Sequence, residues 1–223
     1  MLLAEDLLLL LTDDRTGRLL VTAQYVDVAL AGAQLVQLSL DGRVDVDDRK
    51  RVAVLDPSPT GDPLLDGALG VVGQRAGKKP SAVIGPLGKG LRPQLYARLT
   101  ASGVLRAEAG KVLGLFPRTT WPAASVEHET AVRRGVEGPL VHGLTPDPRS
   151  AALVSLLHAL RSTHKVVDPK AHGLTRRELD RRAKEIAEGS WGSQAVREAC
   201  DAMMAAVMAA VTASTAAATV ASS

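Results

Sequence analysis

The chain has 223 residues, of which 46% are hydrophobic and 23% charged, so it can bury one core and is not expected to be disordered. Its formal charge is only +3, from 27 basic and 24 acidic residues, and this balance alone does not indicate a nucleic-acid-binding protein. Aromatic residues make up 2%, which disfavours stacking on single-stranded bases, and the single cysteine, Cys200, excludes disulfide frameworks and cysteine-based zinc sites.

The first third of the chain is predicted to contain helices and one β-hairpin. Residues 4–12 are typical of a short buried helix, and apolar residues recur at helical spacing over residues 21–40. The spacing changes to two over residues 43–46 and 51–55, which predicts a β-hairpin. An aspartate followed by proline at residues 62–63 is typical of a helix start.

The middle third is predicted to contain a basic loop, one helix and a second hairpin. The loop covers residues 74–80, and leucines at helical spacing over residues 91–99 predict the helix. The second hairpin is expected to have strands at 104–106 and 111–116, with its tip at 107–110. Prolines then end this unit at residues 117–122.

The last third is predicted to be helical. Asp147-Pro148 starts one helix, and Thr175 with Glu178 forms a plausible capping box for another. The Ala-rich residues 202–211 are expected to form a last helix. The predicted architecture is a single, mainly α domain over residues 1–211 with two β-hairpins, followed by an Ala/Thr/Ser-rich tail at 212–223.

The sequence contains no recognisable catalytic motif. The five histidines form no His-Glu-x-x-His pair, and no carboxylate cluster has metal-ligand spacing. Residues 85–90 resemble a phosphate-binding loop, but Gly90 follows Lys89 where that loop needs serine or threonine to hold magnesium. We therefore expect a protein that is not an enzyme and that uses no metal or cofactor.

Two groups of basic residues are candidates for binding an anion. Residues 177–184 place three cations on one helix face, but neighbouring glutamates favour a solvated surface. Lys89 and Arg92 are three residues apart with few acids nearby, and two such cations suit a phosphate. Solubility of an exposed helix explains the pair equally well, and Pro93 favours placing Lys89 in the loop before the helix.

The sequence of residues 58–66, SPTGDPLLD, follows the first predicted hairpin and resembles the Golgi phosphoprotein 3 family. Residues 5–10, and residues 99–105 with the hairpin after them, fit the same order, so the resemblance extends over most of the chain. It implies a helical bundle wrapped by further helices and no catalytic residue. It also implies a peripheral membrane adaptor that binds phosphatidylinositol 4-phosphate in a shallow basic pocket.

The resemblance assigns the lipid phosphate-binding positions to Lys89 and Arg92. The family's other phosphate-binding arginine falls on Ala31 and its membrane-touching tryptophan near Thr22, so these two pocket positions are degenerate here. The resemblance further implies self-association through the second hairpin. Its apolar residues are Val104, Leu105, Val112, Leu113, Leu115 and Phe116.

The expected partners are an anionic phospholipid headgroup and a membrane surface. The Ala- and Arg-rich composition, and a start at the first helix without the family's basic tail, indicate a bacterial relative. We expect it in the cytoplasm, peripheral at the inner membrane face.

Two alternatives stay open. One is a structural or protein-interaction domain with a vestigial pocket. The other is a winged-helix-like DNA-binding module at residues 90–116. The Gly- and Pro-rich segment before residue 86 and the low net charge disfavour the second.

Overall fold

The computed structural model describes residues 1–112, 116–125, 127–189, 201–202 and 204–213, with the backbone alone at 111–112 and 116–118. Within these residues the fold is mainly α-helical with two small antiparallel sheets, as predicted. The elements are α1 (Leu3–Leu10), α2 (Ala23–Leu40), β1 (Val44–Val46), β2 (Val52–Val54), α3 (Pro63–Gly73), α4 (Ser81–Gly88), α5 (Leu91–Ala101), β3 (Glu108–Val112), β4 (Phe116–Thr120), α6 (Glu127–His142), α7 (Pro148–Ala159), α8 (Thr163–Val166) and α9 (Arg176–Ala187). A 3-10 turn at Lys170–His172 precedes α9, and residues 204–213 are again helical.

The centre of the bundle is α1, in which every residue is buried. It packs against α2, α5, α6 and α7 because its apolar residues surround the whole helix. The small residues of α2 allow another helix to approach closely. A Cβ atom built on Gly32 would lie 2.3 Å from Cγ2 of Val207, so the helical segment 204–213 packs directly on this glycine.

Two buried carboxylates of α1 connect it to other helices. Asp6 accepts hydrogen bonds from Nε of Arg149 at 2.9 Å and from its terminal nitrogen at 2.5 Å. On its other oxygen, Asp6 lies 2.9 Å from Nε2 of His128. Glu5 pairs with Arg98 of α5 at 3.0 Å and accepts the backbone N–H of Leu2. These contacts compensate the buried charges and fix α1 relative to α5, α6 and α7.

The helix α4 was not predicted, because the Gly- and Pro-rich segment before residue 86 was expected to supply no clean helix. Residues 81–88 are nevertheless helical, with Val83, Ile84 and Leu87 buried against α2, α3 and α5. The packing of these three side chains outweighs the low helix propensity of the glycines and of Pro86, which lies in the last turn. The argument against a preceding helix in the winged-helix alternative was therefore wrong.

The second hairpin is shifted from its predicted position. Residue 108 pairs with residue 120 and residue 112 with residue 116, so the predicted tip at 107–110 falls partly within β3. The expected chain break at 117–122 was also wrong, since β4 continues to residue 120. Leu105, predicted to lie in the first strand, is 3% exposed and packs into the core before the hairpin begins. Leu113 and Leu115 lie outside the described residues.

Glu129 of α6 makes the stability of the fold dependent on pH. It is buried and accepts a 2.6 Å hydrogen bond from Arg133. Burial, reinforced by the nearby Asp14 carboxylate and opposed by Arg133, raises its pKa from 4.5 to about 7. Because the folded state then holds the proton more tightly than the unfolded state, this contribution is full below pH 4.5 and declines as pH rises to about 7.

The substitution Glu129→Gln is expected to remove this contribution to the pH dependence. The introduced amide cannot ionise, and its carbonyl oxygen keeps an acceptor for Arg133. The free energy of unfolding of the wild type should fall, relative to the variant, by on the order of 2 kcal/mol between pH 5 and 8. Urea unfolding of both proteins across this range measures the difference, and parallel curves would contradict the assignment.

Candidate functional site

Hydrogen bonds within the SPTGDPLLD stretch hold it in place at the start of α3. Both the backbone N–H and the hydroxyl of Thr60 donate to Asp66, at 2.6 and 2.7 Å. Asp62 accepts the backbone N–H groups of Leu64 and Leu65 and so caps the helix. Arg98 adds an ion pair of 2.8 Å to Asp62. The most specific motif in the sequence therefore stabilises the fold next to the candidate site.

Arg92, one of the two predicted phosphate-binding residues, has an acidic partner on α2. Its Nε donates to Asp27 at 2.8 Å, and a terminal nitrogen lies 3.4 Å from the other oxygen of the carboxylate. The two side chains are 27% and 37% exposed, so solvent screens the pair only in part. This two-point contact fixes the orientation of the guanidinium but neutralises much of its charge.

Arg92 also lines a cavity of about 360 Å³. The other walls include the exposed Arg18 and, on either side of the N-cap of α2, Val21 and Ala23. No carboxylate forms an ion pair with Arg18 in the part of the chain that the structure describes. The cavity therefore contains one neutralised arginine and one whose charge is available.

Two aromatic rings close the same cavity. The rings of Tyr96 and Trp121 are stacked, with their centroids 4.0 Å apart and 8° between their planes. The Tyr96 hydroxyl lies 3.1 Å from the hydroxyl of Thr12, and burial raises the pKa of this phenol, so it stays neutral. The rings form a rigid apolar wall next to the Arg92 guanidinium.

Lys89 lies at the junction between α4 and α5, where its extended backbone conformation ends α4. It is exposed and lines a different depression, of about 230 Å³, together with Gln34 and Gln94. Gly90 has a φ of 69° and caps α5 without a side-chain hydrogen bond, and the first turn of α5 carries no acid. The first backbone N–H groups of a helix point outward without intrahelical acceptors, which favours an anion here.

The two degenerate positions fall at different places along α2. Ala31 is fully buried, and a Cβ built on Gly88 would lie 3.6 Å from its Cβ, so Ala31 faces the junction beside Lys89. Thr22 is the exposed N-cap of α2, between two residues that line the Arg92 cavity. The nine-residue separation is about 13 Å along the helix axis. The four predicted positions thus surround the same part of the molecule but do not form one pocket.

Sequence reasoning missed Arg18, Asp27 and Trp121 at this site. Arg18 and Asp27 are nine residues apart, Trp121 lies more than ninety residues later, and none of the three belongs to a motif. The basic face of α9, by contrast, is solvated as favoured, with Arg181 paired to Glu185 at 2.7 Å and both side chains 59% exposed. Among the described residues, no group of three or more His, Cys, Asp or Glu is arranged to hold a metal ion.

The sequence matches a known protein family over most of its length. A family model described as Golgi phosphoprotein 3 (GPP34) matches residues 3–203. The chain belongs to the Golgi phosphoprotein 3 family. It is also similar to vacuolar protein sorting-associated protein 74 of Eremothecium gossypii, at 29% identity over 165 residues. The match covers 62% of this chain and 49% of the relative, so the chain spans about half the relative's length.

Within the described ranges, no helix combines the length and the apolar content that a membrane span requires.

Proposed function

We propose that this member of the Golgi phosphoprotein 3 family is a peripheral membrane adaptor that binds a phosphorylated lipid headgroup of the phosphatidylinositol 4-phosphate type. It acts without catalysis, at the inner face of a bacterial membrane. The cavity that contains Arg18 and Arg92 beside the stacked Tyr96 and Trp121 is the observation that carries the proposal. Two guanidinium groups offer donors to a phosphate, and the aromatic wall offers an apolar surface to the carbon ring of an inositol headgroup.

Asp27 sets the strength of this interaction. A phosphate that approaches Arg92 competes with the Asp27 carboxylate for the same guanidinium nitrogens, and Asp27 also repels the phosphate. Lys89, at the end of α4 and three residues before Arg92, adds a positive charge at the α4–α5 junction outside this cavity. We therefore propose modest headgroup affinity, which a second contact with the membrane or self-association through the 104–116 hairpin would strengthen.

Two substitutions with opposite expected effects test this function. Arg92→Gln should lower the affinity for vesicles containing phosphatidylinositol 4-phosphate about fivefold, since a basic residue at an anionic membrane contributes about 1 kcal/mol. Asp27→Asn removes the competing charge and should raise the affinity by a similar factor. Vesicle co-sedimentation at physiological salt, with phosphatidylinositol vesicles as the reference lipid, measures both.

The opposite changes in affinity expected for the two variants distinguish an effect on lipid binding from an effect on folding. Both substitutions break the same ion pair, so a purely structural pair would lower the stability of both variants and leave their lipid affinities equal. Equal affinities in two folded variants, or no preference of the wild type for the phosphorylated lipid, would refute the proposal. Urea unfolding of the same preparations shows how much of each protein is folded.

A further inference from the structure

The chain has a long segment that carries only positive charge. Residues 67–107 contain no Asp or Glu, although acids are frequent elsewhere in the sequence. Three of the cations in this segment pair with acids outside it: Arg92, Arg98 and Arg106. The others form no ion pair with a carboxylate in the described part of the chain, and they are Arg75, Lys78, Lys79 and Lys89.

The two adjacent lysines are held in place by the first hairpin. The backbone N–H of Val52 donates to the carbonyl of Lys78 at 2.8 Å, and the N–H of Gly77 donates to the carbonyl of Val52 at 2.9 Å. These bonds fix the loop before α4 along the edge of β2. Lys78 and Lys79 are both exposed. The position of their charges is therefore set by the backbone, while their side chains extend into solvent.

One face of α4 connects these lysines to Lys89. Ala82 and Gly85 are exposed and three residues apart, and Lys89 follows four residues later, so the three lie on one side of the helix. The opposite side is buried in the bundle. The exposed face of α4 is thus smooth, with small residues in its middle and lysines beyond each end.

The separation of the lysines determines which partner fits this face. Lys79 and Lys89 lie beyond opposite ends of α4, whose eight residues are about 12 Å long. This distance exceeds the Debye length of about 8 Å at physiological ionic strength, so a single phosphate at one end interacts only weakly with the lysine at the other. A flat anionic surface can contact both at once, and the small side chains between them do not hold it away.

We propose that Lys78 and Lys79 form a second membrane contact, and that the exposed face of α4 lies against a bilayer of anionic phospholipids. This inference rests on the proposed function, because the headgroup site and the α4 contact both require the α4–α5 region to lie at a membrane surface. It differs in chemistry, because the lysine pair recognises surface charge and needs no phosphoinositide.

Nearby acids do not neutralise the charges of Lys78 and Lys79. Asp47, at the tip of the first hairpin, is engaged by Arg51 at 2.9 Å. Asp201 lines a cavity of about 500 Å³ together with Lys79, near the start of α4. Lys78 does not line that cavity.

The test removes the pair with Lys78→Gln and Lys79→Gln in the full chain. The probe is a vesicle of phosphatidylcholine with phosphatidylglycerol and no phosphoinositide. The double variant should bind about thirtyfold more weakly than the wild type, since each lysine at an anionic surface contributes about fivefold. Its urea unfolding should match the wild type, because both side chains are exposed.

The matched control is Arg177→Gln with Lys184→Gln. It removes the same net charge from exposed positions of α9, which packs against α6, α7 and α8. This control should stay within about twofold of the wild type. Equal weakening of both double variants would show attraction by net charge alone and overturn the inference, as would unchanged vesicle binding with lost retention on duplex DNA.

The two proposals fail in different ways. Weakened binding of the Lys78/Lys79 variant to phosphatidylglycerol vesicles, with no effect of Arg92→Gln on phosphoinositide vesicles, overturns only the headgroup function. An effect of Arg92→Gln alone overturns only the α4 contact. Absence of wild-type binding to every vesicle overturns both.

Discussion

Replacement of Arg149 by methionine is expected to destabilise the fold by about 3 kcal/mol. Arg149 donates two hydrogen bonds to Asp6, whose side chain is only 3% exposed. It also donates to the backbone carbonyl of Met1 and to the side chain of Gln37, so one guanidinium joins α7 to α1 and α2. Methionine keeps most of the volume but leaves the Asp6 carboxylate buried with His128 as its remaining partner.

Urea unfolding at pH 7 measures this loss, and Arg181→Met is the matched control. Arg181 also pairs with a carboxylate, Glu185, but both side chains are 59% exposed, so its loss should cost less than about 1 kcal/mol. Adding Asp6→Leu to Arg149→Met should recover part of the stability, because the uncompensated buried charge is then gone. Equal stabilities of the two single methionine variants would contradict this role for the Asp6–Arg149 pair.

The elements that the sequence predicted well are those set by local chemistry. Asp62 caps α3 ahead of Pro63, as expected from these two residues alone. Thr175 and Glu178 form the predicted capping box of α9. In these cases the signal and the contact lie within four residues of one another, so no knowledge of the tertiary structure is needed.

The elements that the sequence did not predict depend on contacts between distant residues. Packing makes α4 helical against the preference of its glycines and proline, and a pattern of eight residues is too short to show this. The ion pair between Asp27 and Arg92 joins residues 65 positions apart. An acid on α2 therefore offsets the charge of a predicted binding residue, although neither segment contains a motif that indicates this contact.

The resemblance to the family assigned Lys89 and Arg92 to one lipid phosphate site, and this assignment stays a prediction. Lys89 and Arg92 are both near the α4–α5 junction, yet each lines its own cavity. The side chains that complete the Arg92 cavity come from the turn after α1 and from the residue after β4. Spacing in the sequence cannot bring these together, because the cavity exists only once the second hairpin has packed on that turn.

Gly17 allows the segment after β4 to pack closely on this turn. The substitution Gly17→Ala is expected to lower the free energy of unfolding by about 3 kcal/mol or more. Gly17 has a φ of 61°, and a Cβ built on it would lie 2.2 Å from the backbone nitrogen of Trp121 and 2.4 Å from that of Pro122. The carbonyl of Gly17 also accepts the N–H of Trp121 at 3.1 Å. Backbone atoms cannot rotate away as a side chain can, so the methyl group must displace the segment after β4.

The substitution Gly42→Ala measures the loss of stability that the left-handed backbone conformation causes without a steric clash. Gly42 has a similar φ of 68°, but a Cβ there meets no atom within 4 Å, so this variant should lose only about 1–2 kcal/mol from left-handed strain. Urea unfolding gives both free energies. The displaced segment carries Trp121, whose ring stacks on Tyr96, so loss of the near-ultraviolet dichroism of this pair should accompany Gly17→Ala alone. Equal losses of stability in both variants would mean that the close approach at Gly17 contributes nothing beyond its backbone conformation.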